Sequence, residues 1–177
     1  PGSILKPFTG VVALQTGAIS PNTKFPYEIV KDKWTPDRSD WVYPPITRVE
    51  NRSGICDLYN GIVYSDNIYF AWAAMEVGEE DFLGYLSKIG FGVRVPFDLT
   101  VALSRYKNEK TEFNIKYLAD SGYGQGELLL SPLQAACMYS AFPNGGTVYQ
   151  PYLVQARYGT SGRDYILEEE TSPTVWL

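Results

Sequence analysis

The sequence predicts an α+β chain that is mainly α, with minor β hairpins. Three observations carry that expectation. Apolar residues recur at helical spacing in several stretches, as at Phe82, Leu83, Leu86 and Ile89. Ser131-Pro132 and Ser65-Asp66-Asn67 are helix-opening signals, a hydroxyl cap before Pro at the first helical position and a polar trio before an apolar run. Between the helical stretches lie Pro-broken segments with aromatic runs of β type.

Taken in order, Ile4, Phe8, Val11 and Val12 form a helical stripe over Ser3–Gly17, with Gly17 as its stop. Pro21, Pro26, Pro36, Pro44 and Pro45 then confine the chain to loops and short hairpins, with β-type runs at Tyr27–Val30 and Asp40–Tyr43. Trp34, Trp41 and Tyr43 read as packing beneath those loops. Helices follow over Ile55–Tyr64, Ile68–Val77 and Glu79–Ile89, the last ended by Gly90 and Gly92. The stretch from Phe91 to Asp120 reads as irregular. A helix opens at Ser131-Pro132 with Leu133, Ala136, Cys137 and Ser140 facing inward, and Asn144-Gly145-Gly146 closes it. Val148–Tyr158 and Asp164–Glu168 are expected to pair across Gly159-Thr160-Ser161-Gly162.

Composition narrows the chemistry. The 177 residues carry 15 Lys+Arg against 20 Asp+Glu, a net charge of −5 without a basic cluster, which argues against nucleic acid as the main ligand. No apolar run approaches the roughly 18–20 residues of a membrane span. The chain has no histidine, so it cannot form a Ser-His-Asp triad, a Cys-His dyad or a His-ligated metal site from its own residues. Cys56 and Cys137 stand in no metal or redox spacing and read as two buried thiols. The first residue is Pro, and the sequence reads as a piece of a longer chain.

A nucleophilic serine without imidazole needs another base, and lysine is the usual substitute. Ser3-Ile4-Leu5-Lys6 puts Lys6 one helical turn after Ser3, so both side chains can share a face. A desolvated Lys6 would favour its neutral amine, which can accept the Ser3 proton. The pattern alone is weak: Ser104-Arg105-Tyr106-Lys107 also matches S-x-x-K, and Ser20-Pro21-Asn22 matches S-x-N as Ser65-Asp66-Asn67 does. Context separates them, because Ser3 opens an amphipathic helix and Ser65 sits at a junction between two helices. The bland readings are a cloning scar at Pro1-Gly2-Ser3 and a plain N-cap at Ser65–Asn67.

Pro1-Gly2-Ser3-Ile4-Leu5-Lys6-Pro7 resembles the P-G-S-T-x-K-P nucleophile motif of penicillin-binding protein transpeptidases. Tyr64-Ser65-Asp66-Asn67-Ile68-Tyr69-Phe70-Ala71 resembles their second motif. Tyr123-Gly124-Gln125-Gly126-Glu127, Ser131-Pro132-Leu133-Gln134 and Asn144-Gly145-Gly146 resemble the G-Q-G-E…[ST]-P-L-Q…N-G-G stretch that follows. The wording is nearest the high-molecular-weight class B enzymes. The resemblance implies the helical subdomain of that fold and, in the parent protein, a D,D-transpeptidase that cross-links peptidoglycan. It implies Ser3 as nucleophile toward the penultimate D-Ala of a stem peptide and Lys6 as general base. It implies Ser65 as proton shuttle and Asn67 as a group that binds Lys6 and the substrate amide. β-Lactams would acylate the same serine. No cofactor or metal is implied.

The departures from the family are specific. K-[ST]-G, the third motif, is not met: Lys110-Thr111-Glu112 lacks the glycine and Thr160-Ser161-Gly162 follows Gly159. The strand that precedes the first motif is also outside this sequence, so residues 1–177 are expected to be a partial transpeptidase domain. An oxyanion-hole donor is worth about 100- to 1000-fold in rate, so the chain alone is expected to be a poor or inactive transpeptidase. A nucleophile helix without its sheet partner would expose apolar surface and favour self-association. Membrane anchoring of the parent, at the extracytoplasmic face of a bacterial membrane, follows from the family alone. The alternatives are a β-lactam sensor that keeps the acylating serine and, ranked last, a serine β-lactamase.

Overall fold

The computed structural model describes residues 1–49, 54–161, 164–170, Pro173 and Val175. The chain divides into two compact units, one of Pro1–Leu86 with Tyr106–Leu128 and the other of Ser87–Arg105 with Leu129–Leu177.

The first unit is built around a helix that is apolar on every side. In α3 (Asn67–Val77), Ile68, Tyr69, Phe70, Ala71, Trp72, Ala73, Ala74 and Val77 are all buried, as expected of a helix at the centre of a core. Its start is fixed by Asp66, whose carboxylate accepts hydrogen bonds from the N–H groups of Ile68 and Tyr69. Packed against α3 are α1 (Lys6–Gln15), entered through a 3₁₀ turn at Gly2–Leu5, and α5 (Ile115–Gly122). The shorter α2 (Leu58–Val63) is capped by Asp57, which accepts from Asn60 N–H at 2.8 Å. In α4 (Glu79–Lys88), Glu79, Glu80 and Asp81 fill the first turn and Lys88 the last, the charge order that suits the helix dipole.

α5 contradicts the expectation of irregular chain through Asp120. Asn114 caps it by accepting from Tyr117 N–H at 2.9 Å, and Tyr117, Leu118, Ala119, Ser121 and Gly122 are buried. The helix is eight residues long, and the charged stretch before it hides its apolar face. Gly122 makes the close approach possible. A Cβ there would lie 2.4 Å from the Phe70 carbonyl oxygen and 2.6 Å from Ala74 Cβ, while the buried Thr9 hydroxyl donates to the Gly122 carbonyl at 2.7 Å. Gly122→Ala is therefore expected to destabilise the fold by about 1–3 kcal/mol, read as a lower urea midpoint at unchanged m-value.

The stripe on α1 meets expectation at Phe8 and Val12 but not at Ile4 and Val11. Leu5, Phe8, Thr9, Val12 and Ala13 are buried, whereas Ile4, Val11 and Leu14 are exposed on the opposite face. The 3₁₀ turn, with about 3.0 residues per turn, shifts the phase so that Leu5 rather than Ile4 points inward.

The β-type runs fall elsewhere than expected. The strands are β1 (Lys33–Trp34) and β2 (Ile46–Thr47), antiparallel with Lys33 opposite Thr47 and Trp34 opposite Ile46. Val30 only faces Lys33 across a tight turn, since Lys31 (φ 50°) and Asp32 (φ 58°) both take the left-handed conformation of a type I′ turn. Trp41 closes a turn on the Arg38 carbonyl. Phe25 meets Trp34 and Trp72 edge-on, with ring centroids 5.0 and 5.6 Å away, so Trp34 is packing beneath the loops.

In the second unit, Ser131 caps α6 (Pro132–Ser140) as expected, accepting from Gln134 N–H at 3.2 Å. Its inner face is Gln134, Cys137 and Met138; Ala136 is exposed and Leu133 and Ser140 are half-buried, which corrects three of the four expected positions. Gln134 is held inside by donating to the Ile89 carbonyl at 3.2 Å. β3 (Ala156–Ser161) and β4 (Asp164–Glu170) pair as an antiparallel hairpin with a register shift at Arg157/Tyr158. Strand pairing takes in Gly159, Thr160 and Ser161, which were expected in the turn; Gly162, the last residue of that expected turn, lies outside the described residues. Cys56 is half-buried and Cys137 buried, both as free thiols.

Candidate active site

Three local features bring four polar side chains to one point in the first unit. Ser3 lies in the 3₁₀ turn and is exposed, while Lys6, one turn on, begins α1 and is only 2% exposed. Ser65 lies within the α2–α3 junction, and Asn67 begins α3. The Lys6 Nζ lies 3.0 Å from Ser3 Oγ, 2.7 Å from Ser65 Oγ, 2.5 Å from the Ser65 carbonyl oxygen and 2.7 Å from Asn67 Oδ1. Ser3, Ser65 and Asn67 thus all meet on the amine of Lys6, the fourth residue singled out in the sequence.

The local backbone explains how. Ser65 has φ 53°, a left-handed conformation that costs a non-glycine residue about 1–2 kcal/mol and turns both its carbonyl and its hydroxyl toward Lys6. Its neighbour Asp66 is buried at 2% exposure, with its N–H donating to the Gly61 carbonyl at 2.9 Å. The Asn67 amide has a fixed sense. Its Nδ2 donates to the Thr47 carbonyl at 3.1 Å, which leaves Oδ1 for Lys6.

Electrostatics favour an amine that gives up its proton easily. Burial pushes Lys6 down to about 8 from the usual 10.5, and the Asp66 carboxylate partly opposes the fall. Four oxygens crowd a group that has three N–H donors when charged. As a neutral amine it keeps two donors and gains a lone pair that can accept from a hydroxyl.

The other matches to the short patterns are engaged elsewhere. The Ser104 hydroxyl is buried and accepts from Ser131 N–H at 2.9 Å, while the Lys107 amine donates to the Thr111 carbonyl. Ser20 Oγ lies against Thr23 Oγ1 in an exposed turn. Lys110-Thr111-Glu112 offers no substitute for the absent third motif, because the Thr111 hydroxyl donates to Glu127.

Gly124 is a site residue that pattern reasoning took only as a turn. Gly2 N–H donates to its carbonyl at 2.7 Å, and a Cβ on Gly124 would lie 1.9 Å from the Gly2 carbonyl oxygen. Its φ of 81° also requires glycine. Glu127 pins the 108–111 loop by accepting from Asn108 N–H at 3.0 Å and from Thr111. Arg48 and Thr47, which meet Asp66 and Asn67, belong to no motif and gave no signal in the sequence. Among the described residues no group of three Cys, Asp or Glu side chains is placed to hold a metal ion.

Comparison with known proteins gives the lineage of this arrangement. The family model for the penicillin binding protein transpeptidase domain matches residues 1–176. The chain belongs to this family. Among curated relatives, penicillin-binding protein 3 of Bacillus subtilis is 36% identical over 156 residues, covering 88% of this chain and 23% of that protein. The peptidoglycan D,D-transpeptidase MrdA of Haemophilus influenzae is 25% identical, covering 99% of this chain and 27% of its own length. The chain thus spans about a quarter of these relatives. The imipenem acyl-enzyme complex of penicillin-binding protein A from M. tuberculosis superposes with a TM-score of 0.81 over 99% of this chain and 39% of that one, at 21% identity. The α-rich architecture described above is therefore part of the transpeptidase fold of penicillin-binding proteins.

Proposed function

We propose that this chain carries the acylating centre of a serine D,D-transpeptidase, with Ser3 as nucleophile, Lys6 as its base, Ser65 as proton relay and Asn67 as the group that orients Lys6 and the substrate amide. One observation carries the reading: a buried amine, depressed to about 8, lies 3.0 Å from the exposed Ser3 hydroxyl. The names of its relatives, penicillin-binding protein and peptidoglycan D,D-transpeptidase, support peptidoglycan stem peptides as the substrate class.

The chemistry runs as follows. The neutral Lys6 amine accepts the Ser3 proton as Oγ forms a bond to the carbonyl carbon of the penultimate D-Ala of a stem peptide. The proton passes from Lys6 through Ser65 Oγ to the leaving nitrogen as the peptide bond breaks, which releases the terminal D-Ala and leaves an ester on Ser3. An amine from a neighbouring stem peptide then attacks the ester carbonyl. It loses a proton back through the same relay and frees the serine. A β-lactam presents a strained amide to the same oxygen, and its leaving nitrogen stays tethered, so deacylation is slow. A protein acting on such substrates would work outside the cytoplasmic membrane. No helix among the described residues is long and apolar enough to cross one.

The pH dependence has a definite sign. Only the neutral amine can accept a proton, so acylation by a β-lactam is expected to rise about tenfold per pH unit below 8 and to level off above it. Stopped-flow acylation of the full-length protein between pH 6 and 10 checks this.

The test of the function itself is incubation of the full-length protein with benzylpenicillin, followed by intact mass. A one-to-one adduct lasting many minutes, together with cross-linking of stem peptides, is the expected result. An adduct without cross-linking would make the protein a sensor. Rapid turnover of the drug would make it a β-lactamase.

A further inference from the structure

Ser65 and Asn67 face Lys6, but the residue between them faces away. One Asp66 oxygen caps α3; the other accepts from Arg48 Nη1 at 2.8 Å. Arg48 is itself largely buried and donates through Nε to Asp32 Oδ1 at 3.0 Å. The residue before it, Thr47, ends β2 and offers the carbonyl that takes the Asn67 amide. Two consecutive residues of one short strand end therefore grip two consecutive residues of the trio.

Each grip has a consequence at the amine. Thr47 decides which end of the Asn67 amide Lys6 meets. Arg48 anchors the residue next to Ser65, whose left-handed conformation persists only if its surroundings over-determine it. Arg48 also acts through charge. Asp66, at the start of α3, is the carboxylate whose field keeps a proton on Lys6. Facing Asp66 are Arg48 from beyond β2 and the Cys56 thiol from before α2; that thiol stays neutral, because burial and the Asp66 charge push it up to about 12. Asp32, from the turn before β1, faces Arg48. The groups that meet Lys6 itself, from Ser3, Ser65 and Asn67, carry no charge.

We propose that Arg48, together with the Thr47 carbonyl, is a positioning element for acylation, holding Ser65-Asp66-Asn67 in register on Lys6 and neutralising Asp66 so that Lys6 can lose its proton. This rests on the reading of Ser3 and Lys6 as the acylating pair, and the test keeps the two apart. Lysine side chains of the full-length protein are labelled with ¹³C and ¹⁵N, and the Lys6 signal is assigned by its loss in Lys6→Arg. Its titration midpoint is then followed in wild type, Arg48→Met, Asp66→Asn and the double variant. Asn caps a helix about as well as Asp, so Asp66→Asn keeps α3 should Arg48→Met fail to fold.

The midpoint is expected to rise by about one pH unit in Arg48→Met, a tenfold loss of neutral amine at pH 7. It is expected to fall in Asp66→Asn and to fall below the Arg48→Met value in the double variant. The benzylpenicillin acylation profile should shift in the same order, with Arg48→Lys close to wild type. A Lys6 midpoint that stays put in Asp66→Asn overturns the proposal. So does an Arg48→Met variant that loses acylation equally at every pH. Absence of any penicillin adduct on the wild type would instead remove the acyl-serine reading, while the midpoints still decide this one.

Discussion

Lys6→Met should lower the rate of Ser3 acylation by a β-lactam about 100- to 10,000-fold, the usual worth of a positioned general base. Methionine keeps much of the volume and removes the amine that lies within hydrogen-bond distance of Ser3 Oγ, Ser65 Oγ and Asn67 Oδ1. Saturation of the drug should change less than the acylation rate constant, since the amine acts on the proton in the transition state rather than on ground-state binding. The rise with pH should vanish as well, because the titrating group is gone. Stopped-flow measurement with a chromogenic cephalosporin separates the two constants. Acylation of Lys6→Met at the wild-type rate, with the same pH limb, would assign the base to another residue.

Gly124→Ala should be the most damaging change outside the four polar residues. A methyl at φ 81° would sit 1.9 Å from the Gly2 carbonyl oxygen and 2.6 Å from the Gly2 carbonyl carbon, so backbone has to move. The overlap costs about 1–3 kcal/mol, and the left-handed conformation adds about 1–2 kcal/mol. Gly2 adjoins Ser3, and a misplacement on the order of 1 Å at a reacting atom can cost about 100-fold in rate. A lower melting temperature and an acylation rate reduced at least about tenfold are expected together. A Gly124→Ala protein that keeps both would show that this contact does not set the position of Ser3.

The chemistry of the site was more legible in the sequence than the framework around it. Ser3, Lys6, Ser65 and Asn67 each have to be a particular residue type at short range from its neighbours, so spacing and flanking residues reveal them. The S-D-N trio could also be read as a cap, and Asp66 is that cap. Arg48 and Thr47 could not be read, because a two-residue strand has no periodicity and their partners lie about twenty residues away. On α1, Phe8 and Val12 face inward as their spacing predicts, while Leu5 takes the inward place expected of Ile4, since a 3₁₀ entry changes the helical phase before Lys6. In α6 the spacing does not reveal the fully buried Gln134, because polar residues ordinarily face out; its hydrogen bond to the Ile89 carbonyl reverses that preference.

The measurement that bears most directly on the central claim is peptide mapping of the full-length protein after benzylpenicillin. Fragmentation within the peptide that begins near Pro1 and runs through Lys6 should place the added mass on Ser3 in the wild type, and Ser3→Ala should carry none. A stable adduct on another residue, or one that survives Ser3→Ala, would contradict the account.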